Sequence, residues 1–125
     1  MRYLGIDFGL KRIGLATSEG DLAAPFKIIN VKGFKDAVAK IIQIAENENF
    51  DKLIIGLSEG KMGETISGFV NQLKKQGLDV QTSDETLSTY QAKLQMIESN
   101  IPKNKRREND DTAAAIILQN YLDNI

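Results

Sequence analysis

Cysteine and histidine are both missing from the 125 residues of this chain. Without cysteine there can be no disulfide, no thiolate nucleophile and no cysteine-bound zinc. Without histidine there is no Ser-His-Asp triad, no imidazole general base and no histidine-ligated metal. Asp, Glu, Lys, Tyr and a bound hard cation remain to carry any chemistry. Long apolar runs are lacking too: none approaches the ~20 residues that span a bilayer. The N-terminus enters a strand pattern directly, without a signal peptide, so a soluble cytoplasmic protein is expected. Nor is there a surplus of positive charge. A formal net charge of -1 attracts no polyanion globally, so nucleic-acid binding requires a local patch. Lys103, Lys105, Arg106 and Arg107 form one.

With 42% hydrophobic residues, residues 1–125 are expected to form one domain around a single core. Tyr3 to Phe8 alternates as a strand, with Leu4, Ile6 and Phe8 on one face and Tyr3, Gly5 and Asp7 on the other. A short turn at Gly9–Arg12 leads to a second strand, Ile13 to Ser18, in an antiparallel hairpin. A third strand, Phe26 to Val31, is entered through Pro25 and completes a meander. The period then changes. Phe34, Val38, Ile41, Ile42 and Ala45 predict an amphipathic helix from Lys35 to about Glu48. Leu53 to Leu57 reads as a central strand covered on both faces, and Ser58 to Gly63 as a flexible loop. Ile66, Phe69, Val70 and Leu73 mark a second helix stopped by Gly77. Leu78, Val80 and Thr82 alternate as the last strand. Ser88 and Gln91 fit a capping box for a helix bearing Tyr90, Leu94 and Ile97. After a basic loop, Ser99 to Asn109, a final helix runs from about Asp110 to Asp123, with Ala114, Ile117, Leu118, Tyr121 and Leu122 facing inward. The expected class is α/β: a five-stranded mixed sheet, an antiparallel three-strand meander plus parallel strands, flanked by helices.

Three acidic positions stand out in this order. Asp7 ends the first strand between Ile6 and Phe8, and a carboxylate on a central strand needs a partner, for which a metal ion is well suited. Glu85 follows the last strand, where α/β sheets commonly hold ligands; beside it Asp84 reads equally as a solvated turn residue. Asp110 and Asp111 open the final helix. On a helical wheel the first aligns with Ala114, Ile117 and Tyr121, the second with Leu118 and Leu122. Either also serves as a helix cap worth about 1 kcal/mol, and periodicity does not separate them.

These residues give the chain a resemblance to the YqgF/RuvX family, Holliday-junction-resolvase-like nucleases with an RNase H-like fold. The likeness rests on GIDFGLKRIGLA at 5–16, IGL at 55–57, DETLST at 84–89 and Asp110 ahead of AAAIILQ at 113–119. It implies that Asp7, Glu85 and Asp110 are the catalytic and metal-binding acids, since counting back from Ile-Leu-Gln selects Asp110. It also implies Mg²⁺ (or Mn²⁺) as cofactor and 5′-end maturation of precursor 16S ribosomal RNA as function, with the ribosomal particle a further partner. Two positions depart from the family pattern: Thr86 replaces an arginine and Ser58 a proline.

The chemistry is coherent with that implication. Mg²⁺ held by two or three carboxylates lowers the pKa of bound water and neutralises charge on the phosphorane-like transition state. Asp7, on the central strand, is the expected bridge if two ions bind. Lys11 and Arg12 in the hairpin turn are expected to grip the scissile strand, and Lys103, Lys105, Arg106 and Arg107 to hold flanking phosphates. Each of these basic groups reads equally as a solvated turn or loop. Three other readings stay open: a resolvase acting on four-way DNA, a non-catalytic ribosome-assembly protein, and an actin-like or sugar-kinase ATPase suggested by GIDFG. No apolar stripe marks a committed dimer, so a monomer or weak homodimer is expected.

Overall fold

The computed structural model describes residues 1–57, 60–83 and 109–125, with only the helical backbone given for 109–111. Five strands form one sheet: β1 Tyr3–Asp7, β2 Arg12–Ser18, β3 Ala24–Asn30, β4 Lys52–Gly56 and β5 Val80–Ser83. Their order across the sheet is β3-β2-β1-β4-β5. β1 pairs antiparallel with β2 and parallel with β4, and β5 continues the parallel half beyond β4. The mixed sheet and the three-strand meander agree with the sequence pattern. Pro25, expected to precede the third strand, lies inside β3 opposite Ala16, where the register shifts. A residue without an N–H is tolerated there because β3 is an edge strand.

Three helices are described: α1 Phe34–Asn47, α2 Gly60–Lys75 and α3 Asn109–Asp123. The expected helix between Ser88 and Ser99 lies outside the described residues. α1 starts at Gly33, whose φ of 100° only glycine adopts readily. Its entry is fixed by Asp36, whose carboxylate accepts the Lys32 N–H at 2.8 Å. α2 ends as expected at Gly77 (φ 87°), whose N–H bonds to the Lys74 carbonyl. Its start is a correction: residues 60–63, expected in a loop, form the first helical turn. That turn needs no buried face of its own, because the apolar stripe beginning at Ile66 anchors the helix and hydrogen bonding propagates it backwards.

The two faces of the sheet are packed differently. Leu4, Ile6, Ile13, Leu15, Leu53 and Ile55 face α1 and α2, where Phe69 is fully buried with its ring centroid 4.6 Å from that of Phe8. On the other face α3 lies against Ala16 and Ile54. Small residues let it come close. A Cβ on Gly5 would stand 2.7 Å from Leu118 Cβ and 2.8 Å from the Ala114 carbonyl oxygen, and one on Gly56 would stand 2.6 Å from Ile117 Cδ1. Gly5 is thus the notch that receives the helix.

This close seat buries α3 more completely than one apolar stripe would. Residues 114–120 are all buried, Gln119 and Asn120 among them. Each polar side chain has partners. The Gln119 amide accepts the Ala23 N–H at 2.8 Å and donates to the Asp21 carbonyl at 2.8 Å and to Asp123 at 3.0 Å. Asn120 donates to Ser83 Oγ at 3.4 Å. The helix is thereby tied to the β2–β3 turn and to the end of β5.

Candidate active site at the carboxyl edge of the sheet

Strand directions decide which residues share an edge. β1, β4 and β5 are parallel, so Asp7, Gly56 and Ser83 end their strands on one side of the molecule. The same edge holds the β1–β2 hairpin turn, the β3–α1 turn and the first turn of α2, because β2 runs against β1 and β3 against β2. α3 runs antiparallel to β1. Tyr3 packs against Tyr121 (ring centroids 6.1 Å apart), while Gly5 meets Leu118 and Ala114. Asp7 lies two residues beyond Gly5 on the same face. That is about 6.6 Å along the strand, or roughly four residues of helix, towards the start of α3. The first turn of α3 therefore stands at the Asp7 edge.

Asp7 is half-buried at this edge, opposite Gly14 in the hairpin. Asp110 is the second residue of α3, and its side chain lies outside what is described, as does that of Asp111. Glu85 and Asp84 follow Ser83 directly in sequence and lie outside the described residues. Ser83 itself is buried, pairs with Gly56 in the β4–β5 ladder, and is held by Asn120. Next to it the Leu57 N–H bonds to the Ser83 carbonyl at 3.1 Å. The ends of β4 and β5 are thus locked together where the chain leaves for Glu85.

Of the expected nucleic-acid-binding residues, Lys11 and Arg12 are exposed at the hairpin tip beside Asp7. Gly9 makes that tip tight: a side chain there would collide with the Arg12 carbonyl. Leu10, also exposed, sits between the glycine and the two cations. Lys103, Lys105, Arg106 and Arg107 lie outside the described residues, and so do Thr86 and Ser58. Two exposed lysines on the same edge, Lys32 and Lys35, were not among the expected binding residues. Nothing in their local sequence marks them, since only the strand order brings the β3–α1 turn beside the hairpin. Beside them Asp36 has its pKa lowered, chiefly by the Lys32 backbone N–H and then by Lys40, which is 3.2 Å away.

Among the described residues no three acidic side chains form a cluster; of the expected triad only Asp7 has a described side chain. No described helix is long and apolar enough to cross a membrane.

With this geometry in view, similarity to known proteins becomes informative. A family model described as "RuvX: Holliday junction resolvase" matches residues 1–124. A protein of Endomicrobium trichonymphae titled "Putative pre-16S rRNA nuclease" is 38% identical, over 98% of this chain and 95% of its own. Among solved structures, the fowlpox virus Holliday junction resolvase superposes over all of both chains with a TM-score of 0.69 at 15% identity. Thermus thermophilus RuvC bound to a Holliday junction gives a TM-score of 0.65 at 13% identity, covering 98% of this chain and 93% of that one. At such identities the two structures establish the shared RNase H-like fold, while the family model and the 38%-identical relative reach further: the chain belongs to the RuvX family of nucleases.

Proposed function

We propose that this nuclease is divalent-metal dependent, with Mg²⁺ or Mn²⁺ held by Asp7, Glu85 and Asp110, and that it matures the 5′ end of precursor 16S ribosomal RNA. The observation that carries the reading is the position of Asp7. It is a half-buried carboxylate ending a central strand, on the face against which α3 is seated, at the edge where α3 begins. The donor chemistry fits a hard cation: the set contains carboxylate oxygens only, which suit Mg²⁺ and Mn²⁺, and the chain has no softer histidine or cysteine ligand. When bound, such an ion supplies charge neutralisation at the scissile phosphate and a more acidic water.

The remaining work belongs to the protein. Asp7 is paired with Gly14 of β2 and follows Ile6, which is paired with β4 as well, so the backbone that carries its carboxylate has little freedom to lose on binding. The backbone of Asp110 belongs to α3, whose body is seated against Gly5 and Gly56. Lys11 and Arg12 at the hairpin tip hold the strand being cut, and the basic residues 103–107 hold phosphates on its flank. Membership of the family sets aside the ATPase reading, and the 38%-identical relative named for pre-16S rRNA favours RNA as substrate. The family's description as a Holliday junction resolvase supports the second reading, cleavage of four-way DNA.

Symmetric junction resolution calls for two active sites related by a two-fold axis, whereas a monomer suffices to cut one RNA strand. Cleavage should therefore be compared on precursor 16S RNA and on a four-way DNA junction, with oligomeric state measured by analytical ultracentrifugation. Metal-dependent trimming of the RNA by a monomer is expected. A stable dimer that cuts junctions symmetrically and leaves the RNA intact would transfer the assignment to DNA.

A further inference from the structure

We propose that Lys32 and Lys35, in the turn joining β3 to α1, extend the hairpin tip at Lys11 into a phosphate-binding track that guides the substrate strand away from Asp7 on the β3 side. The proposal rests on the nuclease reading and adds positioning residues to it.

The two turns are one structure. The Val31 N–H bonds to the Lys11 carbonyl at 2.9 Å, and Arg12 stands opposite Asn30 in the ladder. Lys32 follows Val31 immediately, and its backbone is pinned by Asp36 at 2.8 Å. The nearest acid, Asp36, is shared: it pairs with Lys40, whose ammonium also donates to the Asn30 carbonyl at 2.7 Å, and it feels the charge of Lys32 only as a lesser influence. Lys11, Lys32 and Lys35 are exposed and form no ion pair among the described residues.

The opposite edge of the sheet shows the contrast. There Arg2 pairs with Glu19 at 3.0 Å and Lys52 lies 3.8 Å from Asp79. Asp21, Glu46, Glu48, Asp51 and Asp123 add further negative charge on that side. A chain of net charge -1 thus carries Lys11, Lys32 and Lys35 beside Asp7, while at the far end the acids outnumber the cations, Lys74 and Lys75 included. This separation orients a polyanion onto one edge even without a net attraction. From β1 to β3 is two strand spacings, roughly 10 Å. A single nucleic-acid strand crossing that length presents more than one phosphate, so cations at both ends of the track can contact it together.

The test removes Lys32 and Lys35 together by K32Q/K35Q. K74Q/K75Q is the control, removing the same charge from the last turn of α2 at the opposite edge. The probe is a fluorescent RNA carrying the precursor 16S 5′ leader. Its anisotropy is measured against salt without divalent metal, and its cleavage is measured with Mg²⁺. K32Q/K35Q is expected to flatten the log–log salt slope by about 1.4–1.8, the loss of two phosphate contacts, and to raise Kd on the order of tenfold. KM should rise with it while kcat at saturating RNA stays at the wild-type value, and K32R/K35R should restore binding. If wild type binds and cleaves but K32Q/K35Q behaves like K74Q/K75Q, the track is wrong and the nuclease reading stands. If wild type neither binds nor cleaves RNA or junction DNA, both fall together.

Discussion

Gly5→Ala should damage this protein more than Gly56→Ala, although the two added methyl groups meet neighbours at nearly the same distance. On Gly5 the new Cβ would lie 2.7 Å from Leu118 Cβ and 2.8 Å from the Ala114 carbonyl oxygen. Both obstacles belong to the α3 framework and cannot rotate away. Restoring ordinary contact of about 3.4 Å demands that the helix withdraw by roughly 0.7 Å, and overpacking of this kind costs about 1–3 kcal/mol. On Gly56 the nearest atom, 2.6 Å away, is the terminal Cδ1 of Ile117. It can turn aside at about 0.5–1.5 kcal/mol for an off-rotamer side chain. Urea denaturation of both variants measures the difference. Because α3 carries Asp110, a displacement approaching 1 Å should also cut kcat, by up to about a hundredfold. Equal stability loss in the two variants, or a Gly5→Ala protein with wild-type stability and activity, would refute the claim that Gly5 sets the seat of the helix.

Asp7→Asn should leave the fold intact and raise its melting temperature in metal-free buffer, by relieving repulsion among the proposed ligands. Mg²⁺ should stabilise the wild type but not this variant, since an ion stabilises only the state it binds; unfolding of the metal-free variant would contradict this. Gln119→Ala removes the acceptor of the buried Ala23 N–H together with the donor to Asp21. It should cost about 1–3 kcal/mol in urea denaturation. The Asp36 carboxyl is held below the ordinary aspartate range in the folded state by the Lys32 N–H and, after it, by Lys40. Its contribution is therefore complete above the unfolded value and lost as pH falls through the folded one. Wild type should exceed Asp36→Asn in stability at neutral pH, and the gap should close in strong acid.

Local chemistry wrote much of this fold into the sequence. The helical spacing of Ile41 and Ala45, the Gly77 stop and the strand alternation around Asp7 are all short-range signals, and each has its expected structural counterpart. What escaped depends on partners far along the chain. A helical wheel assigns α3 one buried stripe, yet Ala115, Ile116, Gln119 and Asn120 are buried as well. The glycines that seat this helix lie more than fifty residues earlier. Lys32 and Lys35 look like ordinary turn residues until the strand order places their turn beside the hairpin. Residues 60–63 look like loop because the first turn of α2 buries no apolar side chain. Asp7 was legible as an acid ending a strand. The choice of Asp110 over Asp111, and of Glu85 over Asp84, rests on the family motif alone.

The central claim is that Asp7, Glu85 and Asp110 together hold the metal that cuts the RNA. It is tested most directly by single-turnover cleavage of precursor 16S RNA in Mg²⁺, comparing Asp7→Asn, Glu85→Gln and Asp110→Asn with Asp84→Asn and Asp111→Asn. RNA binding without divalent metal would be measured for each. The first three should bind RNA as wild type does and lose cleavage by two orders of magnitude or more, while the last two stay close to wild type. Full activity in any of the first three, or a loss in Asp111→Asn that Asp110→Asn does not share, would contradict the assignment.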